Sequence, residues 1–300
     1  MDHVNRNHKS SLFADYFGSP QRKENLLSLF NALNKTSYTD VNALEITTIE
    51  NVIYMGIKND ISCIIDSKMS LLEHQSTFNP NMPLRGLMYF GKLYNKYLAG
   101  QNEIIYRSSL VQIPTPQYFV FYNGSSKQPE SLELRLSDAF LQPDPTKRYE
   151  WTAIMLNINP GYNKDLINNC QALREYSIFV SKVRSYTDQG FTIDEAVTNA
   201  VNECIAENIM KDYLIQDKAG VIEMCLTEYD AERHMQLVAE EIAEQQAIID
   251  KQKEENAKLA SQNTELASQV TELASQNTEL ASQNAALLEE IKRLKSINSK

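Results

Sequence analysis

The chain has 300 residues, of which 42% are hydrophobic and 23% are charged. This composition is typical of a globular protein of about two domains and excludes a largely disordered chain. The formal net charge of −10 argues against nonspecific coating of nucleic acid or of an anionic membrane. The charge is uneven, with +1 over residues 1–148, −7 over 149–230 and −4 over 231–300. Any contact with nucleic acid is therefore expected in the first part.

Three features that the sequence lacks indicate where in the cell the protein is located. There is no apolar run of about 18 residues, which argues against a membrane span and a membrane partner. The first ten residues, MDHVNRNHKS, lack the apolar region of a secretory signal. The four cysteines are far apart and form no CxxC pair, which indicates reduced thiols and no zinc site. We therefore predict a cytoplasmic protein.

The first part, residues 1–160, mixes helical and strand patterns and predicts an α/β domain. A helix is expected after Ser19-Pro20, because proline favours the first turn, and a second amphipathic helix is expected over 84–98. Alternating or β-rich runs predict strands. These runs are 51–57, 60–65, 70–76, 117–122, 131–136 and 151–158.

Residues 161–235 are predicted to be a helical extension that packs on this core. Within it, Thr192 and Glu195 have the spacing of a capping box, in which each caps the other's backbone at the start of a helix. The stripe that follows is apolar and predicts a buried helix face. Nothing in this segment indicates chemistry.

Residues 236–300 carry leucines every seven residues inside near-identical ELASQNT repeats. With leucine at heptad position d, the a positions from Ile242 to Ile291 are apolar or Asn, and the last leucine is Leu294. This period predicts a left-handed coiled coil. Asn at a favours a parallel pair, so we predict a homo-oligomer through the heptads Ile242–Leu294, with a parallel dimer ahead of a trimer.

The stretch IKNDISCIIDSKMSLLEHQST predicts two strands joined by a tight turn. With Ser67-Lys68 as the turn, Asp60 faces Gln75 and Ser62 faces Glu73. A shift by an even number of residues would keep the same side chains on the same face. Asp60, Glu73 and Gln75 therefore share one face, and His74 lies on the other. The two carboxylates could hold Mg²⁺ or Mn²⁺; the alternative is a polar, solvent-facing hairpin.

The next helix is predicted to carry a basic stripe. At 100° per residue, four side chains fall within an arc of about 60°, opposite an apolar arc that includes Leu84, Leu87 and Met88. These four are Arg85, Tyr89, Lys92 and Lys96. A stripe of positive charge beside a metal site would suit DNA phosphates; the alternative is an ordinary solvated face.

In the string IKNDISCIIDSKMSLLEHQSTFNPNMPLRGLMYF the chain strongly resembles the recombination-promoting nuclease (Rpn) family, the transposase-like branch of the PD-(D/E)XK nucleases. The likeness continues in order through VQIPTPQYFVFYNG, LRLSDAF, LNINPGYN, LREYSIFV, EAVTNAVNEC and EYDAERHM. It covers about Phe13 to Met235 and leaves out the heptads.

The resemblance implies a PD-(D/E)XK core, in which helices flank a mixed sheet, and Mg²⁺-dependent endonuclease activity on DNA. It assigns the family's acidic pair to Asp60 and Glu73 and its ExQ motif to Glu73 and Gln75. Most PD-(D/E)XK nucleases have lysine where Gln75 stands, which puts the turnover rate in question. The alternative is a member with a degenerate site that binds DNA or regulates a nuclease without cutting.

Overall fold

A computed structural model describes residues 11–48, 60–101, 105–146 and 148–298. The chain divides into two compact units, Met1–Arg233 and His234–Lys300. The strand predicted over 51–57 lies outside the described residues. The first unit is a mixed α/β structure, as the sequence predicts, and the predicted core and helical extension share its interior.

The described strands are β1 Glu45–Ile46, β2 Ile61–Ile65, β3 Lys68–Gln75, β4 Thr115–Tyr122, β5 Ser131–Arg135 and β6 Thr152–Asn157. They form one mixed six-stranded sheet in the order β1-β2-β3-β4-β6-β5. Strand β2 is antiparallel to both β1 and β3, whereas β3, β4 and β6 run parallel and β5 is antiparallel to β6.

Eight α-helices lie in the described part of the chain, together with short 3-10 turns at Pro20–Arg22, Val41–Ala43 and Leu136–Ala139. The α-helices are α1 Leu12–Gly18, α2 Lys23–Asn34, α3 Met82–Gly100, α4 Lys164–Asn169, α5 Gln171–Asp188, α6 Ile193–Ala206, α7 Lys211–Gln216 and α8 Lys218–Asn298. Helix α1 is a helix that the sequence patterns did not predict.

Local chemistry explains two of the helix starts. The Ser11 hydroxyl accepts a hydrogen bond from the Ala14 amide at the start of α1, which satisfies a free backbone donor. At the start of α6, Thr192 and Glu195 form the predicted capping box in both directions. The predicted stripe on α6 is confirmed at its centre, since Ala196, Val197 and Ala200 are fully buried.

Each face of the sheet has its own hydrophobic core. One core joins side chains of β2 and β3, such as Ile61 and Leu72, to α1, α2, α5 and α6. The other core joins Leu71, Val120 and Met155 to α3. Odd-numbered residues of β3 therefore point at α3, and even-numbered residues point at the other helices.

The second unit contains the continuation of α8 to Asn298, so the helical character of the heptads is confirmed. The leucines of the heptads are exposed on this single helix. None of the described helices combines the length and the apolar character that crossing a bilayer requires.

Candidate functional site

The β2–β3 hairpin turns at Asp66 and Ser67, one residue earlier than the sequence predicts. Both residues have positive φ, 47° and 59°, which is the conformation of a type I′ hairpin turn. Aspartate tolerates this conformation better than most side chains. The Tyr38 hydroxyl donates to the Asp66 carboxylate and helps to hold the turn.

This turn shifts the predicted pairing by two residues. Ile61 pairs with Leu72 and Ile65 pairs with Lys68, so the register runs on to set Asp60 directly opposite Glu73. The prediction that Asp60 faces Gln75, and that Ser62 faces Glu73, is wrong. The shift is an even one, however, so the register extended by one pair keeps Asp60 on the same face as Glu73 and Gln75.

Asp60, the residue before β2, is held by the backbone of the neighbouring strand β3. The amide of His74 donates to Asp60 Oδ2 at 2.8 Å. Burial raises the pKa of Asp60, and its hydrogen bond with His74 acts in the opposite direction. Gln75 lies at the end of β3, where its amide nitrogen contacts the sulfur of Met82 on α3.

Glu73 is 2% exposed although it carries a carboxylate. Its Oε1 atom has no hydrogen-bond partner among the described residues. Burial, and next the charge of Asp60, raise the pKa of Glu73 to about 8. A buried carboxylate oxygen without a partner is costly, so this position favours a proton or a bound cation.

Arg85 on the first turn of α3 neutralises the other oxygen of this carboxylate. Its Nη2 lies 2.9 Å from Glu73 Oε2 and donates to the Tyr89 hydroxyl at 3.0 Å. The guanidinium also lies over the Tyr89 ring, 5.7 Å from its centroid. No sequence pattern predicts this ion pair, because it depends on where α3 packs on the sheet.

Two further buried polar atoms near α3 lack partners among the described residues, the Tyr118 hydroxyl and Trp151 Nε1. Burial raises the pKa of Tyr118, and the charge of Glu73 raises it further. Both aromatic rings pack under Gly86, where a Cβ atom would lie 2.5 Å from the Tyr118 ring and 3.1 Å from Trp151 Nε1. The helix therefore approaches the sheet closely beside the two carboxylates.

The predicted orientation of α3 is wrong in part. Tyr89, expected on an exposed basic stripe, is 2% exposed and packs in the core. Leu84, Leu87 and Met88, expected to be buried, are about 40% exposed. The buried face is rotated toward Arg85 and Tyr89 because that face meets Glu73.

The two predicted lysines stand apart from this buried contact. Lys92 is half-buried and Lys96 is exposed, farther along α3. The amine of Lys96 lies 3.4 Å from the Thr47 carbonyl. These two side chains, with the half-exposed Arg85, are what remains of the predicted basic stripe.

His74 points to the opposite face of the sheet, as predicted. Its ring stacks on Phe13, its Nε2 lies 3.3 Å from the Tyr176 hydroxyl, and its Nδ1 lies 3.6 Å from Glu228 Oε1. The ring of His74 is therefore packed in the core on the face opposite to Glu73, while its backbone amide binds Asp60.

A second polar network lies at the carboxyl ends of β4 and β6, where the strings FYNG and LNINPGYN meet. Arg184 of α5 donates to the Asn123 carbonyl and, at 3.0 Å, to Asn159 Oδ1. Asn159 in turn donates to the Gly124 carbonyl and to Asn157 Oδ1, both at 3.0 Å. These hydrogen bonds connect α5 to the sheet. In the sequence, only the several asparagines in these two strings indicated such a network.

The donor set at Asp60 and Glu73 fits a small divalent cation. Mg²⁺ is commonly held by one or two carboxylates, with water completing its shell. The unpartnered Oε1 of Glu73, directly across from Asp60, offers such a ligand atom. The described residues contain no group of three or more His, Cys, Asp or Glu side chains that could hold a metal ion.

No family model, no curated protein and no solved structure matches the chain. The resemblance to recombination-promoting nucleases therefore remains a prediction from the sequence strings.

Proposed function

We propose that this chain is a Mg²⁺- or Mn²⁺-dependent DNA endonuclease that hydrolyses phosphodiester bonds and is held as an oligomer by its heptads. The observation that carries this proposal is the unpartnered, buried Oε1 of Glu73 directly across the hairpin from Asp60. The mixed sheet with helices on both faces agrees with the PD-(D/E)XK core that the resemblance implies.

In this proposal Asp60 and Glu73 hold the cation. A cation held there would lower the pKa of a bound water molecule, which could then act as the nucleophile. The amide of Gln75, on the same face, orients that water or a phosphate oxygen, but it cannot neutralise charge as a lysine would. Arg85, Lys92 and Lys96 bind the backbone phosphates, which positions DNA without reading its sequence.

A second candidate is a protein that binds DNA or regulates a nuclease without cutting. The ion pair between Arg85 and Glu73 favours it, because a positive charge at 2.9 Å already neutralises the carboxylate that the metal would need. Such a protein would keep the fold and the basic side chains of α3 while having little affinity for a cation.

The test combines cleavage with direct metal binding. Purified protein is incubated with supercoiled plasmid in Mg²⁺ or in EDTA, and Mn²⁺ binding is followed by electron paramagnetic resonance. The proposal expects metal-dependent nicking that Asp60→Asn and Glu73→Gln abolish together with Mn²⁺ binding. The exposed Glu133→Gln serves as the matched control and should change neither. Plasmid binding without nicking and without bound Mn²⁺ would instead support the second candidate.

A further inference from the structure

The second unit presents an apolar seam on a single helix. The six leucines at heptad position d are each 50–60% exposed. They are Leu259, Leu266, Leu273, Leu280, Leu287 and Leu294. Side chains of this size repeating every seven residues are buried by a second helix in a coiled coil.

The residues that flank the seam carry little charge. Over the repeats, the e positions are Ala260, Ala267, Ala274 and Ala281, and the g positions are Gln262, Gln269, Gln276 and Gln283. Different coiled-coil partners are usually selected by opposite charges at e and g. Neutral e and g positions, with the same residue in every heptad, cannot select a different partner by charge. They are compatible with pairing between two copies of this chain.

The a positions specify direction and alignment. Within the repeats they are Asn256, Asn263, Val270, Asn277 and Asn284, between Ile249 and Ile291. We propose that the seam binds a second copy of this chain, parallel and with matching heptads aligned, and that Val270 sets that register. It rests on the oligomer of the proposed function, but the disulfide test reads only the second unit and does not depend on nuclease activity.

A parallel arrangement follows from the partners that each Asn can find. In a parallel dimer a positions face a positions, so each Asn meets the same Asn and the two amides can bond to each other. In an antiparallel dimer a positions face d positions, so each Asn would meet a leucine. An amide buried against leucine loses its hydrogen bonds, which is unfavourable.

The alignment of the two helices is less strongly specified than their parallel direction, because near-identical heptads can also pair after a shift of seven residues. In register, Val270 meets Val270 and all four Asn layers are matched. After a slip of one heptad, Val270 faces Asn277 on one side and Asn263 on the other. Two more mismatches arise at the ends, where Ile249 meets Asn256 and Asn284 meets Ile291. Within the repeats themselves, Val270 alone distinguishes the aligned pair from the slipped one.

Disulfide trapping in the full-length protein tests this alignment, because the four natural cysteines are buried. Leu266→Cys and Leu273→Cys are made separately, tagged to different sizes, mixed and equilibrated in a glutathione buffer. An aligned parallel pair forms 266–266 and 273–273 disulfides, whereas a slip of one heptad forms 266–273. We expect the mixed product to be at least about tenfold rarer, and light scattering to give the mass of two chains.

Two substitutions at position 270 complete the test. Val270→Asn removes the two internal mismatches of the slipped pair, so the mixed disulfide should rise about fivefold or more. Val270→Ile keeps an apolar layer and should leave the mixed product rare. The proposal is overturned if mixed and matched disulfides are equally abundant with Val270 present, or if Val270→Asn changes nothing. A monomeric or three-chain mass would also overturn it.

Discussion

Arg85 and Glu73 meet at 2.9 Å across the gap between α3 and β3, and only one oxygen of the Glu73 carboxylate takes part. The Glu73 side chain is 3% exposed, whereas that of Arg85 is 36% exposed. The carboxylate is thus fixed inside the protein while its counter-ion can reach solvent. A cation at the second oxygen would share the carboxylate with Arg85, so the two positive charges are expected to oppose each other.

Arg85→Ala should lower the free energy of unfolding in EDTA by about 1–3 kcal/mol, because it leaves a buried carboxylate without its counter-ion. Mn²⁺ should then raise the melting temperature of this variant more than that of the unmodified protein, since the metal replaces the missing positive charge. Thermal and urea unfolding with and without Mn²⁺ measure both effects.

The matched control is Arg135→Ala, which breaks an ion pair with Glu133 whose two side chains are both about half exposed. A pair in that position contributes at most about 1 kcal/mol, and Mn²⁺ should not compensate for its removal. If Mn²⁺ stabilised Arg85→Ala no more than the unmodified protein, Arg85 and the metal would not share Glu73.

The pH dependence of the free energy of unfolding should reveal the raised pKa of Glu73. Its pKa is raised from the ordinary 4.5 to about 8, so the folded protein holds this proton more tightly than the unfolded chain does. The resulting stabilisation is fully present below about pH 4.5 and is lost as the pH rises through about 8. The raised pKa of Asp60 acts in the same direction. In EDTA, the free energy of unfolding should fall by roughly 2–4 kcal/mol between pH 5 and pH 8.5.

Glu73→Gln should flatten most of this decline, because an amide has no proton to lose. Glu150→Gln is the control. Hydrogen bonds with Ser137 lower the pKa of Glu150, so this residue changes the free energy of unfolding only at more acidic pH. Urea titrations at several pH values give the comparison. An unchanged decline in Glu73→Gln would show that Glu73 does not carry the raised pKa.

Gly86→Ala should destabilise the protein, although alanine favours helices. The added Cβ would lie 2.5 Å from the Tyr118 ring and 3.1 Å from Trp151 Nε1, which forces α3 away from the sheet. Such overpacking costs about 1–3 kcal/mol. Gly91→Ala on the same helix meets nothing within 4 Å and should stabilise by up to about 1 kcal/mol. Equal effects of the two substitutions in urea unfolding would contradict the close approach at Gly86.

Replacing Lys92 and Lys96 by alanine should weaken DNA binding to a similar degree on unrelated sequences, because phosphate contacts carry little base information. The slope of log affinity against log salt should become shallower by about 1 for each phosphate that a lysine no longer neutralises. Lys127→Ala removes an exposed lysine outside α3 and is the control. Fluorescence anisotropy at several salt concentrations gives the slopes; weaker binding confined to one DNA sequence would argue against phosphate contacts.

Several local features could be predicted because they depend on neighbours in sequence. The capping box at Thr192 follows from a short spacing, and the structure has it. The shared face of Asp60 and Glu73 follows from extending the register of β2 and β3 by one pair beyond Ile61 and Leu72. The strand register could not be predicted, because Asp66-Ser67 and Ser67-Lys68 both lack the glycine that marks a hairpin turn.

The prediction of the orientation of α3 was wrong for a different reason. A helical wheel gives only the angle of each side chain, and the face with the basic side chains was assigned to solvent because of its polarity. Arg85 and Tyr89 were therefore predicted to be exposed. In the fold these two face the sheet because Glu73 lies there and needs a counter-ion. That requirement is tertiary, and no spacing along the helix expresses it. Leu84 and Met88 are left on the outer side as a consequence.

The hairpin turn at Asp66 has a consequence for the order of folding. It joins Asp60 to Glu73 through one short loop, and Arg85 follows on the next helix. Contacts between residues close in sequence carry a small loop-closure cost and form early. The parallel pairing of β3 with β4 requires the whole of α3 to cross over first. The carboxylate pair should therefore come together before the sheet that buries it is complete, when water can still reach both groups.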